Sequence, residues 1–509
     1  MWPHDCRYSG AEMSFTRRSF LVGAGSGLSL LLLTACTTPE PTPQPTSTPT
    51  PEPSTAVPEP AGFLRSSWST DSFAMGSHSF VKVGSSPETR AALATALLDR
   101  LFFAGEATST DHASTVLGAR ESGARAAGEV AAASTPSERI AVVGAGAAGA
   151  EAARLLALYG YDVVVIEAQD RTGGRIHSVV DSDWPVPVEL GAWMFNQTAD
   201  EPILEQLERV GVDSAAVGPA LYRAADMGVS DGAPSDGSGA GTTDGPVDDA
   251  DDVLPAVDSN SVGLAALATA LTWAAEQTRD FSLQDALDGS GATETASGQS
   301  LEDLDGAALL GQQLAQVAAQ TGAAASELSS WYGYPNPPEP TAPTVLATGP
   351  VSALIDDALD GVEIFLSTAV VGVAYSEDGV SLRLGTGESL NVDRAIVTVP
   401  LGVLQNDGIE FSPLLPFAHR SAISLLGVGT VDTVWLRFDE PFWTTTASVW
   451  NVVGANTEIS TWVNLQPITG DPVLVGIVGG AQATRLADFS DDEVREAAML
   501  SLAPFLNPA

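Results

Sequence analysis

Hydrophobic positions change their period along this chain, and each change marks an element. Residues 140–143, Ile-Ala-Val-Val, form a continuous apolar run of strand length, and Asp162–Ile166 forms a second that ends at Glu167. Between them an alanine- and leucine-rich stretch repeats at helical spacing. Further short apolar runs predict strands at 362–366, 368–374, 380–384 and 395–399. Alternating runs at 431–438, 450–453, 461–465 and 473–478 fit the strands of a second sheet. Residues 264–279 and 304–321 have helical spacing and predict helices that cover a cavity or simply pack on one another. Two stretches lack any period. Residues 37–60 are rich in proline and threonine, so they predict an extended tether. Residues 228–262 are acidic and poor in bulky side chains, so they predict a surface insertion.

The first strand runs directly into Gly144-Ala-Gly146-Ala-Ala-Gly149. Gly144 permits a tight turn, Gly146 lets backbone approach a pyrophosphate, and Gly149 lets the helix pack on the strand. The helix N-terminus offers free N–H groups to phosphates, and Glu167 can accept hydrogen bonds from an adenosine ribose. Strand, glycine turn, helix, second strand and acidic end together predict a dinucleotide-binding unit. Arg171-Thr-Gly-Gly-Arg175 follows the acidic residue. It resembles the flavoprotein continuation, in which a GGR turn reaches back to the phosphates, and so favours FAD over NAD; a basic surface turn is the alternative.

With these residues in view, the chain resembles the flavin-containing amine oxidases, the group of monoamine and polyamine oxidases and histone-lysine demethylases. Trp68-Ser-Thr-Asp-Ser-Phe-Ala-Met-Gly-Ser resembles that family's W-x-x-D-x-F-x-x-G-S segment. Phe103-Ala-Gly105-Glu106 and then Ser114-Thr115-Val116 resemble its closing flavin motif. The resemblance implies that Gly105 and Glu106 meet the ribityl-pyrophosphate part of FAD, and that Thr115 and Val116 open a helix at the flavin's pyrimidine edge. It implies that the loop Gly191-Ala192-Trp193 passes the flavin ring, and that Val370 and Val373 contact adenine. Gly174 and Arg175 belong to the GGR turn. In the family the Trp68 and FAGE segments close the chain, whereas here they precede the glycine fingerprint. The arrangement therefore reads as a circular permutation, with residues 134–138 joining the old carboxyl end to the old amino end.

The fold expected is α/β: a Rossmann-like FAD-binding domain with a sheet-plus-helices substrate domain, circularly permuted. Residues 62–97, 216–342 and 429–509 are assigned to the substrate domain, and 98–215 and 343–428 to the FAD domain. Several departures from the family pattern bear on chemistry. Thr433 stands where relatives carry a lysine that holds a water at flavin N5, and Lys82 is the chain's one lysine. His112 stands where relatives usually carry a cage tyrosine, and Gln169 where many carry arginine. The cysteine that tethers flavin in some relatives is missing, so FAD is expected to be non-covalent. Trp68, His112 and Thr433 are the candidate catalytic residues; for His112 a packing or exposed role is the alternative. Trp331 to Tyr334 line a pocket or, more simply, fill the core.

Composition narrows the setting. A formal net charge of −42 over 509 residues argues against nucleic acid, whose phosphates such a surface repels. Only Cys6 and Cys36 are present, both outside the expected folded region, so no disulfide framework forms. No metal is expected. Arg17-Arg18 before an apolar run too short to span a bilayer resembles a twin-arginine signal. Leu33-Thr-Ala-Cys36 resembles a lipobox, which implies export and a lipid on Cys36 that holds the protein at the membrane. The expected activity is FAD-dependent oxidation of a small-molecule amine with oxygen or another acceptor. A flavin dehydrogenase or desaturase of a non-amine, and a flavin-binding lipoprotein without turnover, remain as alternatives. The oligomeric state is not readable.

Overall fold

The computed structural model describes residues 56–225, 256–257, 259–335, 344–454 and 457–506. The signal, most of the tether, most of the acidic insertion and the last three residues lie outside the described residues.

The apolar runs at 140–143, 163–166 and 395–397 become the central strands of a parallel sheet buried on both faces, as such runs require. Its strand order is Glu363–Phe365, Asp162–Ile166, Arg139–Val143, Arg394–Val397 and Leu101–Phe103, with every neighbouring pair parallel. Ile140, Ala141 and Val142 are fully buried. Helices Val116–Ala133 and Ala147–Leu158 pack together on one face, among small residues that let their backbones approach closely. A Cβ on Gly123 would lie 2.1 Å from the Ala148 carbonyl oxygen, and one on Gly149 would lie 1.9 Å from that of Gly144. The other face is covered by the four-stranded sheet of Val370–Ser376, Gly379–Leu384, Ser389–Val392 and Glu410–Ser412.

The alternating runs form a seven-stranded mixed sheet. Its order is Gly62–Arg65, Val431–Arg437, Val473–Gly479, Thr461–Asn464, Val449–Val453, Ala220–Ala224 and Ala256–Val257. Val434, Leu436, Trp450, Trp462 and Leu474 fill the core shared with helices Gly480–Ala487 and Asp491–Leu502. Helix Gly306–Thr321 lies on the same sheet so closely that a Cβ on Gly479 would sit 2.0 Å from the Ala318 carbonyl oxygen. Helix Ser261–Ala275 begins three residues earlier than its apolar spacing suggests, because the Asn260 side chain caps it by accepting the Gly263 N–H. Helix Gly306–Thr321 begins two residues later than expected: Leu304 and Asp305 pair with Leu301 and Ser300, and Asp305 then caps the helix.

The segment that precedes the glycine fingerprint is woven into both sheets. Gly62–Arg65 pairs antiparallel with Val431–Arg437, and Leu101–Phe103 forms an edge of the parallel sheet. Val57 and Phe505 share one apolar cluster, which brings the two ends of the described chain to the same core. The short link before Arg139 is pinned by the buried Arg394, whose guanidinium donates to Glu138 at 2.7 Å and to the Ala133 carbonyl at 2.6 Å.

Candidate functional site

One cavity of about 1220 Å³ reaches from the carboxyl ends of the parallel strands to the face of the mixed sheet. Its first wall is made of backbone. Strand Arg139–Val143 stops at Gly144, whose φ of 107° suits glycine. Gly146 then caps helix Ala147–Leu158 without a side-chain acceptor, so the first-turn N–H groups are left for a ligand. A Cβ on Gly146 would meet nothing nearer than 3.7 Å, and the same holds for Gly174, so both present bare backbone to the cavity. A second helix, Val116–Ala133, opens on the same space with Thr115 as its N-cap.

Charge on this wall is fully organised. Glu167, buried at the strand end, accepts the N–H groups of Ala145 at 2.7 Å and Gln169 at 2.8 Å, one on each oxygen. Each oxygen keeps a lone pair for a ligand hydroxyl. Glu106 is also buried, which alone would raise its pKa; Arg175 and Arg90, helped by the Ser79 hydroxyl, hold it below the usual carboxylate range. Ser79 donates to it through its N–H at 3.1 Å and its hydroxyl at 2.6 Å, and Arg175 Nη1 donates at 2.9 Å. Among the described residues Arg175 makes no bond through Nε or Nη2, so those donors remain for an anion. Two helix N-termini, a glycine cradle, a carboxylate with spare lone pairs and a guanidinium with spare donors fit a flavin dinucleotide.

The loop Gly191-Ala192-Trp193 lies against the GGR turn, where a Cβ on Gly191 would stand 2.0 Å from the Arg175 carbonyl oxygen. Just before it, burial pushes the Glu189 carboxyl up to about 7, against hydrogen bonds from the Ser178 hydroxyl and the Val351 N–H. At the passage between the two sheets stand Trp68 and Thr433, both buried and both on the wall. The Trp68 indole donates to the Leu190 carbonyl at 3.0 Å, which fixes the ring as a wall. Thr433 Oγ1 accepts weakly from the Trp435 indole at 3.3 Å, and Lys82 is not on the wall.

Gly105, Val370 and Ala192 also line the cavity, while two sequence expectations need correction. Gly149 is not one of them: it is pressed under the Gly144 carbonyl, off the wall, and packs helix on strand as the fingerprint reading expects. Val373 is buried in the core between two sheets, and only Val370 of that pair lines the cavity. His112 is not on the wall either. Its carbonyl accepts the Thr115 hydroxyl at 2.8 Å, and its half-exposed ring turns outward to pair with Glu121 at 2.7 Å. The histidine that does line the cavity is His78, whose buried Nδ1 has no partner among the described residues and whose pKa is lowered by burial.

The cavity's far end was missed by sequence reasoning. It is lined by Gln313, Gln316 and Gln320 of one helix, with Tyr222, Asn451 and Thr461 of the mixed sheet. The glutamines stand at i, i+3 and i+7, a polar stripe on an otherwise apolar helix, and that stripe was the available signal. Tyr334 lines the cavity, whereas the Trp331 indole donates to the Ala274 carbonyl at 2.7 Å as part of the packing.

A family model described as flavin containing amine oxidoreductase matches residues 49–131 and 147–509. Polyamine oxidase 4 of Oryza sativa subsp. japonica is 28% identical over 382 residues, 74% of each chain. The human lysine-specific histone demethylase 2 is 25% identical over 387 residues, 71% of this chain and 43% of that one. Among solved structures a redesigned putrescine oxidase superposes with a TM-score of 0.51 at 20% identity, over 73% of this chain and 83% of the other. A cyclohexylamine oxidase from Brevibacterium oxydans gives a TM-score of 0.50 at 18% identity, over 73% and 82%.

Proposed function

The chain belongs to the flavin-containing amine oxidoreductase family, and from that premise we propose that it oxidises a small amine with a non-covalently held FAD and oxygen as acceptor. The observation that carries the reading is the single cavity joining the glycine cradle to the mixed sheet past Trp68 and Thr433. When bound, the flavin would take up two electrons and a hydrogen from the amine-bearing carbon and pass the electrons on to oxygen. The chain's own part is binding, orientation and exclusion of water. The Ala147 and Val116 helix ends and Arg175 would hold the phosphates and the ring's electron-rich edge, and Glu167 a ribose. The fixed Trp68 ring and the buried Thr433 would bound the reacting position and keep it dry. No acid or base on the wall is needed if the amine enters neutral. His78, kept neutral by burial, is the titratable imidazole on the wall. Peroxide formation from a panel of amines tests the reading. Flavin reduction without oxygen uptake, by a substrate that is not an amine, would favour a dehydrogenase instead.

We infer also that the domain is circularly permuted. The shared cluster of Val57 with Phe505, the short link at 134–138 and the family match in two stretches support this. A chain reopened in that link, with residues 57 and 506 joined by a short linker, is expected to fold and bind flavin. Failure to fold contradicts the inference. Residues 13–36 support export with a lipid on Cys36, so Cys36→Ser should move the protein from the membrane fraction to the soluble one. Retention in the membrane fraction would exclude that anchor.

A further inference from the structure

The mixed sheet sets a ruler along the cavity. Thr433 pairs with Ile477, Ile477 with Thr461, Thr461 with Asn451, and Asn451 with Tyr222, as direct cross-strand partners. All five line the cavity, so they form one continuous row on the sheet's inner face. Neighbouring strands lie about 4.8 Å apart, so the row runs about 19 Å from Thr433 to Tyr222. Its first step beyond Thr433 is apolar, at Ile477. Every later step is polar and uncharged.

The groups above the row are uncharged as well. Gln316 Nε2 donates to Asn451 Oδ1 at 3.1 Å and to the Tyr222 hydroxyl at 3.3 Å. Gln312 Nε2, on the same helix, donates to Asn451 Oδ1 at 2.8 Å, which holds the amide cluster in register. Gln313 is buried on the wall and its side chain makes no hydrogen bond among the described residues. Among the described residues that line the cavity the only carboxylates are Glu106 and Glu167, and both stand at the cofactor wall with their protein partners already in place. A second ammonium carried about 10 to 14 Å from the reacting nitrogen would leave water and meet no counter-charge among the described residues of the wall. A hydroxyl or amide at that distance would exchange its water for amide and hydroxyl partners without that penalty.

We propose that the substrate is a monoamine: one reacting nitrogen, an apolar spacer over Ile477, and an uncharged hydrogen-bonding group met by Thr461, Gln316 and Tyr222. Diamines and polyamines are poor substrates. The proposal rests on the amine-oxidising reading given above and adds the chemistry of the far end.

The test compares octylamine with its ω-hydroxy and ω-amino derivatives on the flavin-loaded protein, at high ionic strength so that the acidic surface does not steer the dication. The ω-hydroxy compound is expected to exceed the ω-amino compound in kcat/KM by about 100-fold, with the difference mostly in KM, because the tail is remote from the reacting carbon. Gln316→Glu is expected to narrow that ratio by about tenfold or more by supplying the missing charge. Gln320→Glu, at an exposed position of the same stripe, provides the same comparison if the first variant does not fold. Equal or better turnover of the ω-amino compound by the native protein overturns the proposal and leaves amine oxidation standing. Reduction of the flavin by none of the three, nor by any arylalkylamine, would overturn the amine reading itself and the proposal with it.

Discussion

The two ends of the cavity are built on opposite principles. The cofactor end is made of backbone and of charges with partners already in place: Gly146 and Gly174 expose main chain, and Glu106 is held by Arg175 and Ser79. The far end, among the described residues, is made of side chains without formal charge, packed between a helix and a sheet. A ligand shared by a whole family can be met by main chain, which demands glycine at fixed spacings and a carboxylate at a strand end. A substrate is met by side chains from elements distant in sequence, whose identities are free to differ. Charge tells the ends apart most clearly, because a buried charge must be paired wherever it stands.

Breaking the paired charge should have the largest effect. Glu106→Gln leaves the buried Arg90 and the part-buried Arg175 beside a neutral amide, and should cost about 3–5 kcal/mol of stability together with flavin retention. Denaturant unfolding and the absorbance of the purified protein measure both. A variant as stable and as yellow as the native protein would show that the network is not structural.

Glu189 is the opposite case, a buried carboxyl without a cation beside it. Its pKa is raised from 4.5 to about 7, so the folded state holds a proton that the unfolded state has lost over that interval. Stability from this group is therefore fully present below about pH 4.5 and falls as pH rises toward 7. The shift corresponds to about 3 kcal/mol. Glu189→Gln should be about that much more stable than the native protein at pH 8 and should lose this part of the pH dependence. Parallel stability profiles for the two proteins would contradict the assignment.

Thr433 stands where the two ends meet and carries no charge. Thr433→Lys would place one there, and a preorganised charge in a dry site is worth about 2–4 kcal/mol of barrier. The oxidative half-reaction with oxygen should accelerate accordingly, with the reductive half-reaction nearly unchanged. Stopped-flow traces showing fast reoxidation in the native protein, unaffected by the substitution, would remove this role for Thr433.

Legibility in the sequence follows the same division. The centre of the parallel sheet was readable because residues 140–143 and 163–166 are uninterrupted apolar runs flanking glycines with fixed tasks. The wall at Gly146, Glu167, Arg175 and Thr115 was readable because each lies inside a contiguous motif. His112 was misplaced because a position beside a motif does not determine rotamer: Glu121, nine residues on, draws the ring outward. The far end left only the glutamine stripe of one helix as a signal, and its assembly was not readable. Asn451, Thr461, Tyr222 and Gln316 come from four elements and become neighbours only through strand register and helix docking.

The central claim is that one cavity holds flavin at its charged end and an amine at its neutral end. Anaerobic mixing of the purified yellow protein with single amines, followed by flavin absorbance, tests it most directly. The account predicts that a monoamine bleaches the flavin and that admitting oxygen restores the colour with formation of peroxide. Flavin that stays oxidised with every amine offered would contradict it.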